Sequence, residues 1–286
     1  MGIVVNTNVP AIMVQRNLST ATDNLNASIE KMSTGLRINR AADDAAGLYV
    51  ASGLEKQIRG SEICEGSVQT GINILGIAEG DLSLINEHLM RIRDLAVEAA
   101  SDYYTQAARD AMAEEALART TEINRIAGAS NFNGLLLLSS GTTIPAAGLA
   151  IQVGPNSSDT VTITGVFGAA DAATLGLDIS KMVATASGDY FYDTTGATTL
   201  IGLCDTAITT VNGKVAKIGA NQSRLESAYD SLTVSIENLS AAKSTIMDAD
   251  IAKESTEYTK QQILQQTAAA LLIQANQSPG VALSLI

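Results

Sequence analysis

The sequence predicts a mainly α protein: a long antiparallel coiled-coil helical bundle formed by the N- and C-terminal halves, with a small central β-hairpin region. Three observations predict it. Near the C-terminus Val211, Ile218, Leu225, Leu232, Leu239 and Ile246 stand seven residues apart, with Val215, Gln222, Tyr229 and Ile236 four residues after the first four. Rows spaced by three and four lay one apolar seam along a helix. A matching seam in the N-terminal half runs through Val68, Leu75, Leu82, Leu89 and Ala96, beside Gly71, Ala78, Ile85, Ile92 and Ala99. Between the halves, from Ser139 to about Thr199, Gly, Ala, Ser and Thr dominate and the helical period fades.

The run from Val211 to Ile246 contains no Pro, and at about 1.5 Å per residue it makes a rod on the order of 50 Å long. A rod cannot hide its own seam, so it needs a partner inside or outside the chain. An ordinary helical bundle shows the same period on this stretch alone.

In chain order, Leu18, Leu25 and Met32 with Ile29 and Leu36 predict an amphipathic helix over about 10–36, with Gly35 close to its end. Basic residues then precede acidic ones. Arg37 and Arg40 are placed to pair with carboxylates on a neighbour, and Asp43 and Asp44 to cap a following helix. As general acid/base carboxylates these aspartates would need a cleft and a nucleophile, and the sequence offers neither. The long helix of the second seam is expected over about 66–100. A further helix follows over about 105–128, with Leu117, Ile123 and Ile126 on one side, and turn chemistry at Asn131 to Gly134 ends the helical half.

Leu149, Ile151 and Val153 alternate on one side of the turn-rich hexapeptide 154–159, and Val161 and Ile163 on the other. That pattern predicts a β-hairpin. Residues 174–178 return the chain to the core. Past Ile246 a final helix carries Ile263, Leu264, Ala268, Leu271, Leu272 and Ala275 on its apolar side. Pro279-Gly280 is expected to end it before the apolar tail 281–286, which invites association.

Composition narrows the function. The chain has 286 residues, 30 Asp+Glu against 18 Lys+Arg, no Trp, three Phe and one His. An acidic chain lacks the basic face that nucleic acid requires. Few aromatics favour long helices packed by aliphatic residues over an enzyme pocket. No Gly-rich phosphate loop, Ser/His pairing or zinc cluster appears, His88 stands in an amphipathic helix, and no cofactor is implied. Cys64 and Cys204 form no metal or redox motif, and they could pair only if the fold brings them together. No apolar stretch is long enough for membrane insertion. The opening MGIVVNTNVPAIMVQRNLS has no basic leader before an apolar core, which taken alone points to the cytoplasm.

The layout is mirrored about the hairpin. Folding there lays the seam at 66–100 beside that at 211–246 and leaves the terminal helices, about 10–36 and 250–276, to pair. Their remaining apolar faces would be covered by copies of the same molecule, and a head-to-tail contact that does not close gives a helical filament.

Specific motifs carry a resemblance over nearly the whole chain. They are Ser33 to Leu48 (STGLRINRAADDAAGL), Arg91 to Val97 (RIRDLAV) and Phe132-Asn133-Gly134 in the first half. Ile151 to Gly154 (IQVG) lies centrally. Gln222 to Glu226 (QSRLE), Glu237 to Ala242 (ENLSAA), Asp248 to Glu254 (DADIAKE) and Gln274 to Gly280 (QANQSPG) follow. With these the sequence resembles a bacterial flagellin, in a short form without large outer domains.

The resemblance implies an inner-tube terminal domain from residues 1–40 and 246–286. It implies a core domain from 41–140 and 201–245, with its hairpin region at 141–200. Leu18, Leu25, Ile29, Met32, Leu36, Leu264, Leu271 and Leu272 would pack subunits in the terminal coiled coil. Arg37, Arg40, Asp43, Asp44, Leu225, Leu232 and Leu239 would do so in the core. It further implies a homo-polymeric filament outside the cell, reached by unfolded export through the flagellar type III channel. The implied partners are an export chaperone on roughly 245–286 and hook-associated junction and cap proteins. Recognition by an innate immune Toll-like receptor would use Arg91, Leu95 and Glu115, while Asp94 and Glu98 depart from the usual Glu and Gln. A hook–filament junction protein shares the terminal architecture, but such proteins carry Pro after the Asp pair, where this chain has Ala45-Ala46-Gly47.

Overall fold

The computed structural model describes residues 7–283 apart from 142, 143 and 146, and the side chains up to residue 277. Five α-helices are present among the described residues: α1 (Val9–Thr34), α2 (Ala45–Ala99), α3 (Gln106–Ala129), α4 (Thr194–Met247) and α5 (Ile251–Leu283). Two antiparallel strand pairs separate the helical halves, β1 (Asn131–Phe132) with β2 (Leu135–Leu136) and β3 (Leu149–Gln152) with β4 (Thr160–Ile163). The chain divides into two compact units, one of residues 1–58 and 237–286, the other of residues 59–236.

Helix boundaries follow from local chemistry. Asn8 Oδ1 accepts from the Ala11 N–H at 3.1 Å, and Pro10 stands in the first turn of α1, where its missing N–H has no partner to lose. Gly35, with φ 72°, closes α1 in the left-handed conformation and returns its N–H to the Lys31 carbonyl at 2.9 Å. Asp44, Thr105, Asp193 and Asp250 accept from backbone N–H groups at the starts of α2, α3, α4 and α5.

Unit 59–236 holds the main core. Val68, Leu75, Leu82, Leu89 and Ala96, and with them Ala78, Ile85, Ile92 and Ala99, are fully buried. From α4, Val211, Ile218 and Leu225 are buried as completely. The two helices run antiparallel: Arg93 Nε donates to Asp205 Oδ1 at 2.6 Å, Gln222 Nε2 to Glu79 Oε2 at 3.0 Å, and Tyr229 bonds Glu65. α3 adds Ile123 and Ile126, and Thr120 Oγ1 satisfies itself on the Ala116 carbonyl.

The β3–β4 register pairs Leu149 with Ile163 and Ile151 with Val161, as the alternation requires. This hairpin rests on α2 where α2 is small. A Cβ on Gly71 would stand 2.2 Å from Ile151 Cδ1, one on Gly60 would stand 2.9 Å from Pro155 Cβ, and the Cys64 thiol donates to the Gly154 carbonyl at 3.2 Å.

In the unit of residues 1–58 and 237–286, α1 and α5 pair antiparallel. Asn8 Nδ2 donates to the Ala275 carbonyl at 2.8 Å and Gln265 Nε2 to Thr22 Oγ1 at 3.1 Å. The turns after α1 and before α5 are tied by an antiparallel bridge between Leu36 and Asp248. Arg37 N donates to the Met247 carbonyl at 2.6 Å and Ala249 N to the Gly35 carbonyl at 2.9 Å.

Four expectations need correction. α2 begins at Ala45 rather than near 66, because the Asp44 cap starts it and weakly apolar helix formers carry it to the heptads. α4 begins at Thr194 rather than at the first heptad valine, its early turns buried through Ala197, Leu200, Cys204 and Ala207. Asn133 and Gly134, with φ 49° and 82°, do more than end the helical half: they form the two-residue turn of the β1–β2 hairpin. Pro279-Gly280 does not end α5, whose backbone stays helical to Leu283. One proline removes a single hydrogen bond and need not unwind the turns around it. Of the expected apolar tail, residues 284–286 lie outside the described residues.

Candidate assembly surfaces

The α1–α5 pair divides its side chains in a telling way. Residues turned toward the partner helix include Ala21, Ser28, Gln261 and Ala268, all buried, with Leu18, Leu25, Met32, Gln265 and Leu272 half-buried. Gln261 Nε2 reaches Glu257 Oε1 at 2.6 Å, so its amide is satisfied within the seam. With so few bulky residues the seam leaves a groove of about 390 Å³, lined by Asn17, Ala21, Asn24, Gln261 and Leu264 among others. Larger aliphatic residues stay about half exposed: Ile12 (58%), Met13 (53%), Ile29 (46%), Ile263 (57%), Leu264 (46%), Leu271 (50%) and Ile273 (63%).

Each expected packing residue can now be placed. Leu18, Leu25, Met32 and Leu272 serve the intramolecular seam, Leu36 lies half-buried in the bridge to Asp248, and Ile29, Leu264 and Leu271 remain open. Leu264 and Leu271 line the α1–α5 groove beside Ala268, as a single apolar side predicts, whereas Ile263 is 57% exposed. Leu225 and Leu232 are buried inside the chain's own core and reach no outer surface, whereas Leu239 is half-buried.

The basic-acidic motif after α1 is a local lock. Arg40 makes a forked pair with Glu30 of its own chain at 3.2 and 2.7 Å, rather than with Asp43 or Asp44. Arg37 Nη2 donates to the Ile246 carbonyl at 2.6 Å. Asp43 Oδ2 accepts from the Asn39 and Arg40 N–H groups at 3.1 and 2.9 Å, and these backbone bonds hold its carboxyl below the usual range. Lys243 and Glu55 form a further pair in the same unit.

On the other unit, Arg91 and Glu115 form a bidentate pair at 2.8 and 3.0 Å, which with Arg119 nearby holds the Glu115 carboxyl below its usual range. Leu95 does not share their surface. It is 2% exposed and packs in the core, because it falls on the buried stripe of α2, so it cannot touch a partner of the folded monomer.

Arg93 paired with Asp205 was not singled out from sequence, since the antiparallel register that joins them is visible only in the fold. Cys64 and Cys204 are separate buried thiols. Arg93 faces Asp205, so Cys204 lies opposite the far end of α2, about 40 Å along it from Cys64, which excludes a disulfide. Burial pushes the Cys204 thiol up to about 12. Among the described residues no three His, Cys, Asp or Glu side chains converge as a metal cluster, and no helix is long and apolar enough to cross a membrane.

Residues 5–143 match the profile of the bacterial flagellin N-terminal helical region, and residues 201–286 match that of the C-terminal helical region. The chain is 36% identical over 290 residues to the flagellar filament 33 kDa core protein of Treponema phagedenis, covering 99% of this chain and 100% of that one. It is 36% identical over 303 residues to the flagellin of Bacillus subtilis, covering 99% of each. Among solved structures, a candidate flagellar hook-associated protein from Vibrio parahaemolyticus aligns with a TM-score of 0.58 at 15% identity. It covers 72% of this chain and 100% of that one, a likeness of fold alone.

Proposed function

The chain belongs to the bacterial flagellin family and is by family a structural subunit of the flagellar filament; on that premise we propose that α1 and α5 drive its polymerisation. The observation that carries this reading is the α1–α5 pair. Its fully buried residues are Ala21, Ser28, Gln261 and Ala268, while Ile12, Met13, Ile29, Ile263, Leu264, Leu271 and Ile273 stay about half exposed. Burying aliphatic surface contributes roughly 25 cal/mol per Å², so copies packed around these residues gain what a single chain forgoes. A repeated heterologous contact that does not close extends as a filament.

The finer parts of the reading come from the family. The subunit passes unfolded through the flagellar type III channel and takes its place outside the cell. An export chaperone covers the exposed apolar residues of about 245–286 beforehand, and hook-associated junction and cap proteins bound the polymer. Released monomer is an agonist of a Toll-like receptor through the surface around Arg91 and Glu115, with Leu95 supporting it from beneath. A receptor reporter assay that stays silent with purified monomer would remove this last part.

Electron microscopy after seeding tests the polymer. The intact chain is expected to give filaments about 100–200 Å wide, the span of a few stacked helical layers. A variant lacking about 30 residues at each end should stay monomeric under the same conditions. An intact chain that remains dispersed with seeds present would overturn the assembly mechanism.

A further inference from the structure

The dipeptide Asn-Gly occurs twice in the chain, at Asn133-Gly134 and at Asn212-Gly213. All four residues are exposed, so access to water does not separate the two pairs. Their backbones do. Asn212 and Gly213 stand inside α4, where the Gly213 N–H is spent on a carbonyl one turn back and the dihedrals are held. Asn133 and Gly134 are the tip of the β1–β2 hairpin, with φ 49° and 82°. In a two-residue turn of this kind the strand bonds run between the flanking residues, here Phe132 and Leu135, and the central N–H groups are left free. Among the described residues no acceptor meets the Gly134 N–H and no partner meets the Asn133 amide. A Cβ on Gly134 would touch nothing within 4 Å, so the space over the turn is open.

An asparagine followed by glycine has a nucleophile beside its own side-chain amide. Once a base takes the proton from the Gly134 nitrogen, that nitrogen attacks Cγ of Asn133. The new C–N bond closes a five-membered succinimide, the Cγ–Nδ2 bond breaks, and the side-chain nitrogen leaves as ammonia. Water then opens the ring at either carbonyl, giving aspartate or isoaspartate. The balance needs only water and a base. Glycine lacks the Cβ that would crowd the ring, and closure requires a backbone rotation that an open turn permits and a helix interior forbids.

We propose that Asn133 is a site of spontaneous deamidation, a covalent clock at the β1–β2 turn, whereas Asn212 is held inert by its helix. The product acts beyond the turn. Isoaspartate routes the main chain through the former side chain and lengthens the link between Phe132 and Leu135 by one carbon. A two-residue turn sets the register of its strands, so Phe132 loses its place opposite Leu135. The chain continues directly into Leu137 and Leu138, both fully buried. Leu137 N donates to the Ser130 carbonyl at 3.0 Å, and Gly168 N and Ala170 N donate to the Leu137 and Leu138 carbonyls at 2.9 Å each. A slip at the tip therefore loosens the join between the end of α3 and residues 168–170.

The test ages the full-length monomer in warm, mildly alkaline buffer, with and without urea. Trypsin then releases peptides 126–181 and 182–214 for mass spectrometry, and fragment ions separate Asn133 from Asn131 and Asn156. Isoaspartate is counted by methyl transfer from S-adenosylmethionine with an isoaspartyl methyltransferase. In the folded monomer Asn133 should react at least about tenfold faster than Asn212, whose helix must open first. In urea the two rates should converge. The converted monomer should melt about 2–4 °C lower. Asn133→Gly keeps a residue suited to positive φ and has no amide to lose, so it should hold its melting temperature through ageing.

Similar rates at the two sites in the folded monomer, or an Asn133 that reacts only in urea, would overturn the proposal. An Asn133→Gly chain that loses melting temperature as fast as the unmodified chain would overturn the link from the turn to the core.

Discussion

Two glycines of α2, five residues apart, carry opposite expectations. Gly71 lies under the hairpin, where a Cβ would press Ile151 Cδ1 at 2.2 Å and Leu225 Cδ1 at 3.2 Å. Overpacking of this kind costs about 1–3 kcal/mol, against a helix-propensity gain of about 1 kcal/mol, so Gly71→Ala should destabilise the fold on balance. Gly66 meets nothing within 4 Å, and Gly66→Ala should stabilise it by about 0.5–1 kcal/mol. Denaturant midpoints of the two variants, with unchanged slopes, check the pair. Cys204 gives a prediction in pH. Burial raises its folded value to about 12 from 9.0, so the folded state holds a proton that the unfolded state releases. The associated stability is complete below about pH 9 and is lost as pH rises from there to about 12, at most on the order of 4 kcal/mol. Cys204→Ala should flatten this part of the alkaline limb, read as the difference between two pH-melting curves.

Among elements, the contrast lies between α2 with α4 and α1 with α5. The first pair buries Leu75, Leu82, Ile85, Leu89, Ile92, Ile218 and Leu225, whereas the second buries Ala21, Ser28, Gln261 and Ala268. Local opening costs more where more apolar area is hidden, so hydrogen exchange of dilute monomer should be far slower in residues 68–96 than in residues 9–34. Polymerisation should then slow the exchange of 9–34. Equal protection of both segments in monomer would contradict the ordering. The same contrast explains what was legible in the sequence. Heptads of Leu, Ile and Val located the α2 and α4 seams residue by residue, and the alternation about 154–159 gave the β3–β4 hairpin and its register. The α1–α5 seam was only partly legible, because hydrophobicity cannot tell a face used within a chain from one used between chains. Leu264 and Leu271, expected to pack subunits, stay about half exposed, while Gln261, which no apolar pattern marks, is buried. The β1–β2 hairpin and the packing of Met182 and Phe191 were missed for another reason. Those strands are two residues long, and a core assembled from irregular segments has no period to read.

At the scale of the whole molecule, the polymer brings together chains that each carry a formal net charge of −12. Two electrostatic effects oppose one another. Subunit-wide repulsion acts over the Debye length, about 30 Å at 0.01 M salt and about 8 Å at 0.15 M. Contacts between local acidic and basic groups at an interface act within a few ångströms and are worth only about 0.2–1 kcal/mol each when solvent reaches them. Added salt weakens both, but it removes the longer-ranged one first and leaves aliphatic burial at the terminal helices intact or strengthened. Raising salt from 0.01 to 0.15 M should therefore lower the critical concentration for seeded growth, by roughly tenfold if about 1.4 kcal/mol of repulsion per added subunit is screened. Light scattering across a salt series checks this. A critical concentration that rises steadily with salt would mean that specific charge pairs, rather than the half-exposed aliphatic residues of α1 and α5, dominate the growth energy.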